Sequence, residues 1–146
     1  MAAKLVLDME IVQEQFFQDA VLIGIASALP QYRFCWFINS FFDIELSRTP
    51  DYDICINTKN GDACDYAVYR FEKPNQDHVF SLYQLISNKQ LLLPELKQMD
   101  YLMMIQGIAS EQVAAEYIRL LRQMNEVQMA QIIQHHHLKN IDSLLF

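Results

Sequence analysis

Glu95 and Asp100 stand five positions apart in the stretch Leu93-Pro94-Glu95-Leu96-Lys97-Gln98-Met99-Asp100-Tyr101. Two carboxylates sharing a cleft can divide the work of general acid and general base if their surroundings push their pKa values apart. The same pair also has a plainer use. Glu95 directly follows a proline, where a carboxylate in a first turn satisfies orphan N–H groups, and Asp100 can hold a nearby loop or pair with Arg33. Arg33 lies between Tyr32 and Trp36, so its planar fork could take a small anion while stacking on an aromatic face. More often such an arginine ties two elements together through a carboxylate. Lys89, in Ser87-Asn88-Lys89, reads equally as an anion ligand or as a solvated loop residue. The binding candidates are therefore Arg33, Trp36, Lys89, Glu95, Asp100 and Tyr101, and no residue is singled out as catalytic.

Other chemistries find less support. His135, His136 and His137 are consecutive, so on a strand or helix they point in different directions and cannot all reach one ion. They read as a solvated run at the end of a strand, and no metal site is expected. Gly24, Gly61 and Gly107 are the only glycines, too scattered to cradle a phosphate. No nucleophile elbow is present, and no cofactor is expected. Met99, Met103, Met104, Met124 and Met129 could furnish an adaptable surface, although their positions suit core packing better.

A chain of 146 residues has a single-domain length and can bury roughly 68–70% of its unfolded surface. One domain spanning residues 1–146 is expected. Eighteen acidic against eleven basic residues give a net charge of -7 with no basic cluster, which argues against binding nucleic acid through its phosphates. Met1-Ala2-Ala3-Lys4 leads straight into a strand-like segment, and the apolar run from Ala20 to Leu29 is too short to span a bilayer. The expectation is a cytoplasmic protein with no membrane partner. Its three cysteines are odd in number and lack metal-ligand spacing, as suits that compartment. A two-residue Asn60-Gly61 turn would set Asn57 opposite Cys64 and Cys55 on the diagonal, out of disulfide reach.

The elements that must position these residues follow from periodicity and punctuation. Lys4 to Ile11 predicts an N-terminal strand. Phe16 to Leu29, apolar nearly all round, predicts a helix buried on most of its surface and closed by Pro30. Gln31 to Phe42 predicts a second, short helix. Asp43 to Thr49 alternates as a strand that Pro50 ends. Tyr52 to Thr58 and Ala63 to Phe71 flank Asn-Gly as a hairpin, with Asp53, Cys55, Asn57, Tyr66, Val68 and Arg70 on its wetter face. His78 to Ile86 predicts a third meandering strand. Pro94 ends the preceding leucine run, and Gln98 to Gln106 predicts a central strand with Tyr101, Met103 and Ile105 on one face and Leu102 and Met104 on the other. Ser110 suits an N-cap for a helix with an apolar stripe through Val113, Ala114, Tyr117, Leu120, Leu121 and Met124. Val127 to Ile133 predicts a last strand and Leu138 to Phe146 a tail. The sum is an α+β domain: a mainly antiparallel sheet of about five or six strands with helices packed on one face.

The pattern Leu93-Pro94-Glu95, three residues, then Met99-Asp100-Tyr101 resembles the signature of the IPExxxVDY family, small proteins from Bacteroidota. Leu93 and Met99 each replace one apolar residue by another. Leu22-Ile23-Gly24-Ile25, Tyr32-Arg33-Phe34-Cys35-Trp36, Leu85-Ile86-Ser87-Asn88-Lys89 and the terminal Leu138-Lys139 to Leu144-Leu145-Phe146 are similar to further blocks of that family. The resemblance implies a bacterial cytoplasmic protein of one domain and carries with it no reaction, cofactor or partner.

Two functions are expected. The first is non-enzymatic association, as a homo-oligomer such as a homodimer or with another protein, because aromatics such as Phe41, Phe42, Tyr66 and Tyr69 are too many to be housed inside. The second is a small-molecule binding protein, an anion binder or an enzyme, with a pocket near Arg33, Trp36, Glu95, Asp100 and Tyr101 between the helices and the sheet.

Overall fold

The computed structural model describes residues 20–57, 63–72, 78–87 and 89–134. The first described element is a strand, β1 (Ala20–Ala26), where the sequence predicts a helix. The reason lies in the composition. Val21, Ile23 and Ile25 enter one core cluster while Leu22 and Ala26 enter another, so the segment is apolar on both sides and carries no period that separates a doubly buried strand from a buried helix. Gly24 belongs to this economy of space: a Cβ there would stand 3.1 Å from Met99 Cγ and 3.2 Å from Ile133 Cγ1. Asp19 and the residues before it, including the predicted Lys4–Ile11 strand, lie outside the described residues.

Helix α1 (Gln31–Phe42) starts after Pro30 as expected and ends in a left-handed Asp43. The predicted Asp43–Thr49 strand shrinks to β2 (Ser47–Arg48). Before it, the Asn39 side chain does what a neighbouring strand would have done, donating to Leu46 O at 3.0 Å and accepting from Leu46 N at 2.8 Å. After a short 3₁₀ turn at Pro50–Tyr52 come β3 (Ile54–Asn57), β4 (Ala63–Tyr66) and β5 (Val68–Glu72). β3 and β4 pair antiparallel with Ile56 opposite Cys64 and Cys55 opposite Asp65, one residue away from the expected register. Cys55 is exposed, Cys64 is buried, and the three thiols are free. The Asn-Gly turn itself lies outside the described residues.

The predicted hairpin strand 63–71 breaks at Ala67, whose N–H donates to Gln84 Oε1. β4 thereby leaves with β3 as a separate ribbon, while β5 joins the main sheet. This break overturns the expected wet face: Tyr66 and Val68 are buried in the second core cluster, because the ribbon folds over the sheet and closes on them. β6 (Val79–Gln84), the short pair β7 (Ile86–Ser87) and β8 (Gln90–Leu91), a 3₁₀ turn at Pro94–Leu96, β9 (Tyr101–Gln106), α2 (Ser110–Leu121) and β10 (Met129–Ile133) complete the described elements.

Among the described residues the main sheet has six strands in the order β10-β1-β9-β6-β5-β2, and the pairings between them are antiparallel. β9 is interior and clad on both sides as predicted, with Tyr101, Met103 and Ile105 in one cluster and Leu102 and Met104 in the other. The first cluster takes Phe34, Cys35 and Ile38 of α1 and Ala114, Ile118 and Leu121 of α2, so the two helices cover one face. The opposite face is covered by the β3–β4 ribbon and by Leu85, Leu92, Leu93 and Leu96. The α+β class read from the sequence therefore stands. One detail of α2 differs: Ala109, in a left-handed conformation, occupies the cap position, and Ser110 is the first helical residue and buried.

Candidate functional site

Three consecutive residues at the start of β9 reach the corner between β1 and α1. Met99 is buried against Gly24. Asp100 accepts the Ser27 N–H at its Oδ2, 2.8 Å away, and its own N–H donates to Ile25 O at 2.8 Å. Tyr101 donates its hydroxyl to Leu29 O at 2.5 Å and stacks its ring on Phe34. Ser27 continues the chain of contacts by donating to Glu126 O at 2.7 Å, which ties in the turn before β10. These bonds form because the chain must leave β1 abruptly before Pro30, and the backbone groups of the bend need partners other than a ladder. Burial, reinforced by the neighbouring Asp100 charge, pushes the Tyr101 hydroxyl well above its ordinary range, so it remains a donor.

Behind this corner opens a cavity of about 500 Å³ lined by Ser27, Leu29, Pro30, Gln31, Tyr32, Gln84, Ile86, Asp100 and Tyr101, among others. Its size falls in the range of small-molecule pockets. Among the described residues Asp100 is the single charged one lining it, and its carboxylate suits a hydrogen-bond donor or a cation. Much of its polar equipment is already engaged. Gln84 bonds to Ala67 N and Ile86 O, and Tyr101 to Leu29 O.

The candidate residues do not converge on one cleft. Asp100 and Tyr101 line the cavity just described, whereas Arg33 and Trp36 line a different, smaller one of about 340 Å³ with Tyr32 and Phe37. Glu95 is exposed in the first turn of the Pro94–Leu96 3₁₀ element and lines neither cavity. Lys89 is exposed in a positive-φ turn between β7 and β8. The physical reason is the direction of α1. Phe34, Cys35 and Ile38 occupy its buried face, which leaves Arg33 and Trp36 on the far side, away from the sheet. The anticipated pairing of Arg33 with Asp100 is absent among the described ion pairs, and Asp100 has its loop partner instead.

That far side of α1 is the second notable feature. Tyr32, Trp36 and Phe41 are 68%, 63% and 46% exposed; Tyr32 and Trp36 stand one turn apart on the outer face, and Phe41, about 140° round the helix from Trp36, borders that face where it shares a groove with Trp36. Phe37 lies half-buried between them. A groove of about 440 Å³ runs from Trp36, Phe37 and Phe41 to the turn Gln123–Glu126 that follows α2. The aromatics expected outside divide differently from the expectation. Tyr66 and Tyr69 are buried, and Phe42 stacks on Tyr117 at 4.3 Å. The residue pattern assigns no role to Ser27, which it places in a helix, nor to Phe37, which lines the groove half-buried. A serine at the end of an apolar run just before a proline was the available signal for the first.

No protein-family model matches this chain, and no curated protein matches it. Among the described residues no group of histidine, cysteine and carboxylate side chains could hold a metal ion, and no helix is long and apolar enough to cross a membrane. His135 to His137 lie outside the described residues.

Proposed function

We propose that this chain acts by non-enzymatic association, presenting the outer face of α1 to another polypeptide. One observation carries the reading: three large aromatic side chains, Tyr32, Trp36 and Phe41, are exposed together on one helix. Exposed apolar residues scattered singly are ordinary, but Tyr32 and Trp36 adjoin on successive turns and Trp36 shares a groove with Phe37 and Phe41, and tyrosine, tryptophan and arginine are the side chains that most often anchor an interaction surface. Arg33 completes that set. The motif residues Met99, Asp100 and Tyr101 spend their polar atoms and bulk on the β1–α1 corner, which supports a structural role for the segment that resembles the IPExxxVDY signature. We place the protein in the cytoplasm of a bacterium of that kind, a setting that suits three free thiols.

The test is a photo-crosslinking residue placed at Trp36 in the cell of origin. A covalent adduct with any polypeptide, absent when the same residue is placed at exposed Glu72 on the sheet side, is the expected result. No adduct at position 36 would sink the reading.

A second reading rests on the cavity beside Asp100: a site for a small amine or other donor. Thermal shift against simple amines and carboxylates decides it. Stabilisation by amines that is lost in Asp100→Asn would support it, and no shift with any amine would remove it.

A further inference from the structure

We infer that the polypeptide docking on α1 is a second copy of this chain, packed antiparallel about a two-fold axis at the level of Ile38, midway between Arg33 and Asp43. The inference rests on the association reading and deepens it. Its basis is the distribution of charge along the helix. From Gln31 to Phe42 the only ionisable side chain besides Cys35 and Tyr32 is Arg33, close to the N-terminus, and Asp43 follows immediately at the C-terminus. Neither belongs to an ion pair among the described residues. They stand ten residues apart, about 15 Å along the axis, with Trp36, Phe37 and Ser40 between them.

A face with one cation at one end and one anion at the other is self-complementary only when two copies run in opposite directions. Each Arg33 then meets the other copy's Asp43, twice over, while the aromatic middles pack on each other. A parallel arrangement would set like charges together. The chain's net charge of -7 opposes contact between copies elsewhere. The α1 segment contains no acidic residue from Gln31 to Phe42, so the helix itself adds nothing to that repulsion.

Area sets the strength. The exposed parts of Tyr32, Trp36 and Phe41 amount to roughly 350 Å² per copy on typical aromatic areas, about half of the ~800 Å² per partner of a standard interface. The groove toward Gln123–Glu126 adds to it. An area that small suits a reversible, concentration-dependent dimer rather than a permanent one.

Sedimentation velocity on the full chain across the micromolar range, with variants Arg33→Glu and Asp43→Arg, decides the matter. The wild type is expected to dimerise, each variant alone to weaken dimerisation by roughly tenfold or more, and the equimolar mixture of the two to recover it, because only the mixed pair restores opposite charges at both ends. Trp36 is the only tryptophan, so its emission should move to shorter wavelength in step with dimerisation. Unaltered far-ultraviolet circular dichroism shows that the variants fold. A monomeric wild type throughout, or a mixture no more associated than its components, overturns the inference. If crosslinking at position 36 nevertheless captures a different polypeptide, association survives and only the second copy is lost. If it captures nothing, both fail.

Discussion

Tyr101 lies flat on Phe34, with ring centroids 4.3 Å apart and planes 3° from parallel, while its hydroxyl reaches Leu29 O at 2.5 Å. One side chain thus grips both α1 and the loop that leads into it. The two grips can be separated by mutation. Tyr101→Phe removes the hydrogen bond and keeps the stack, at a cost of about 1 kcal/mol. Tyr101→Ala and Phe34→Ala each open a cavity and should cost about 3–5 kcal/mol. Because they delete the same contact, the double variant should fall short of the sum by about 0.5–1.5 kcal/mol. Denaturant unfolding measures all four. If Tyr101→Phe were as damaging as Tyr101→Ala, the stack would carry none of the stability assigned to it.

Asp100 acts on the same corner through an acceptor atom. Asparagine keeps an oxygen in place for the Ser27 N–H, so Asp100→Asn should cost less than about 1 kcal/mol, whereas Asp100→Ala leaves that buried N–H unpaired and should cost about 1–3 kcal/mol. Melting temperatures of the two variants compare them directly. Equal losses would mean that the negative charge matters and the acceptor does not.

Arg48 and Asp53 brace the opposite edge of the sheet, where the Asp53 carboxylate accepts from both terminal guanidinium nitrogens of Arg48 and from the Val68 N–H at 3.2 Å. The hydrogen bonds from Arg48, joined by the one from Val68, hold the Asp53 carboxyl below the ordinary carboxylate range despite partial burial. A carboxyl whose pKa is lower in the folded state than in the unfolded chain adds stability above the unfolded value and loses it as pH falls through the folded one. The pair is partly open to solvent, so Asp53→Asn should cost about 1 kcal/mol at neutral pH. That difference from wild type should shrink as pH drops below about 4. Urea titrations at several pH values read the convergence, and a difference that stayed constant into acid would contradict the role given to the ion pair.

How far the chain could be read depends on where its signals were local. Proline and the helical period placed α1, and the apolar stripe through Ala114 and Leu121 placed α2, because each signal sits within one turn of the residue it describes. The alternating two-sided burial of β9 was legible for the same reason, and so was the α+β class. β1 was not. Its seven residues are apolar toward both layers, and only the neighbours β9 and β10, far away in sequence, select extended geometry for them.

The sites divide in the same way. The sequence by itself determined that Pro94 would end one element, that Asp100 would begin a core strand needing a partner for its carboxylate, and that Arg33 and Trp36 would share a short helix. Tertiary structure alone decided that the partner is Ser27 and that α1 turns Phe34 inward and Trp36 outward. A helix with aromatic or aliphatic side chains on every side has no intrinsic inner face. The choice falls to the side chains that fit the sheet, and here Phe34 fits against Tyr101, which leaves Trp36 in the open.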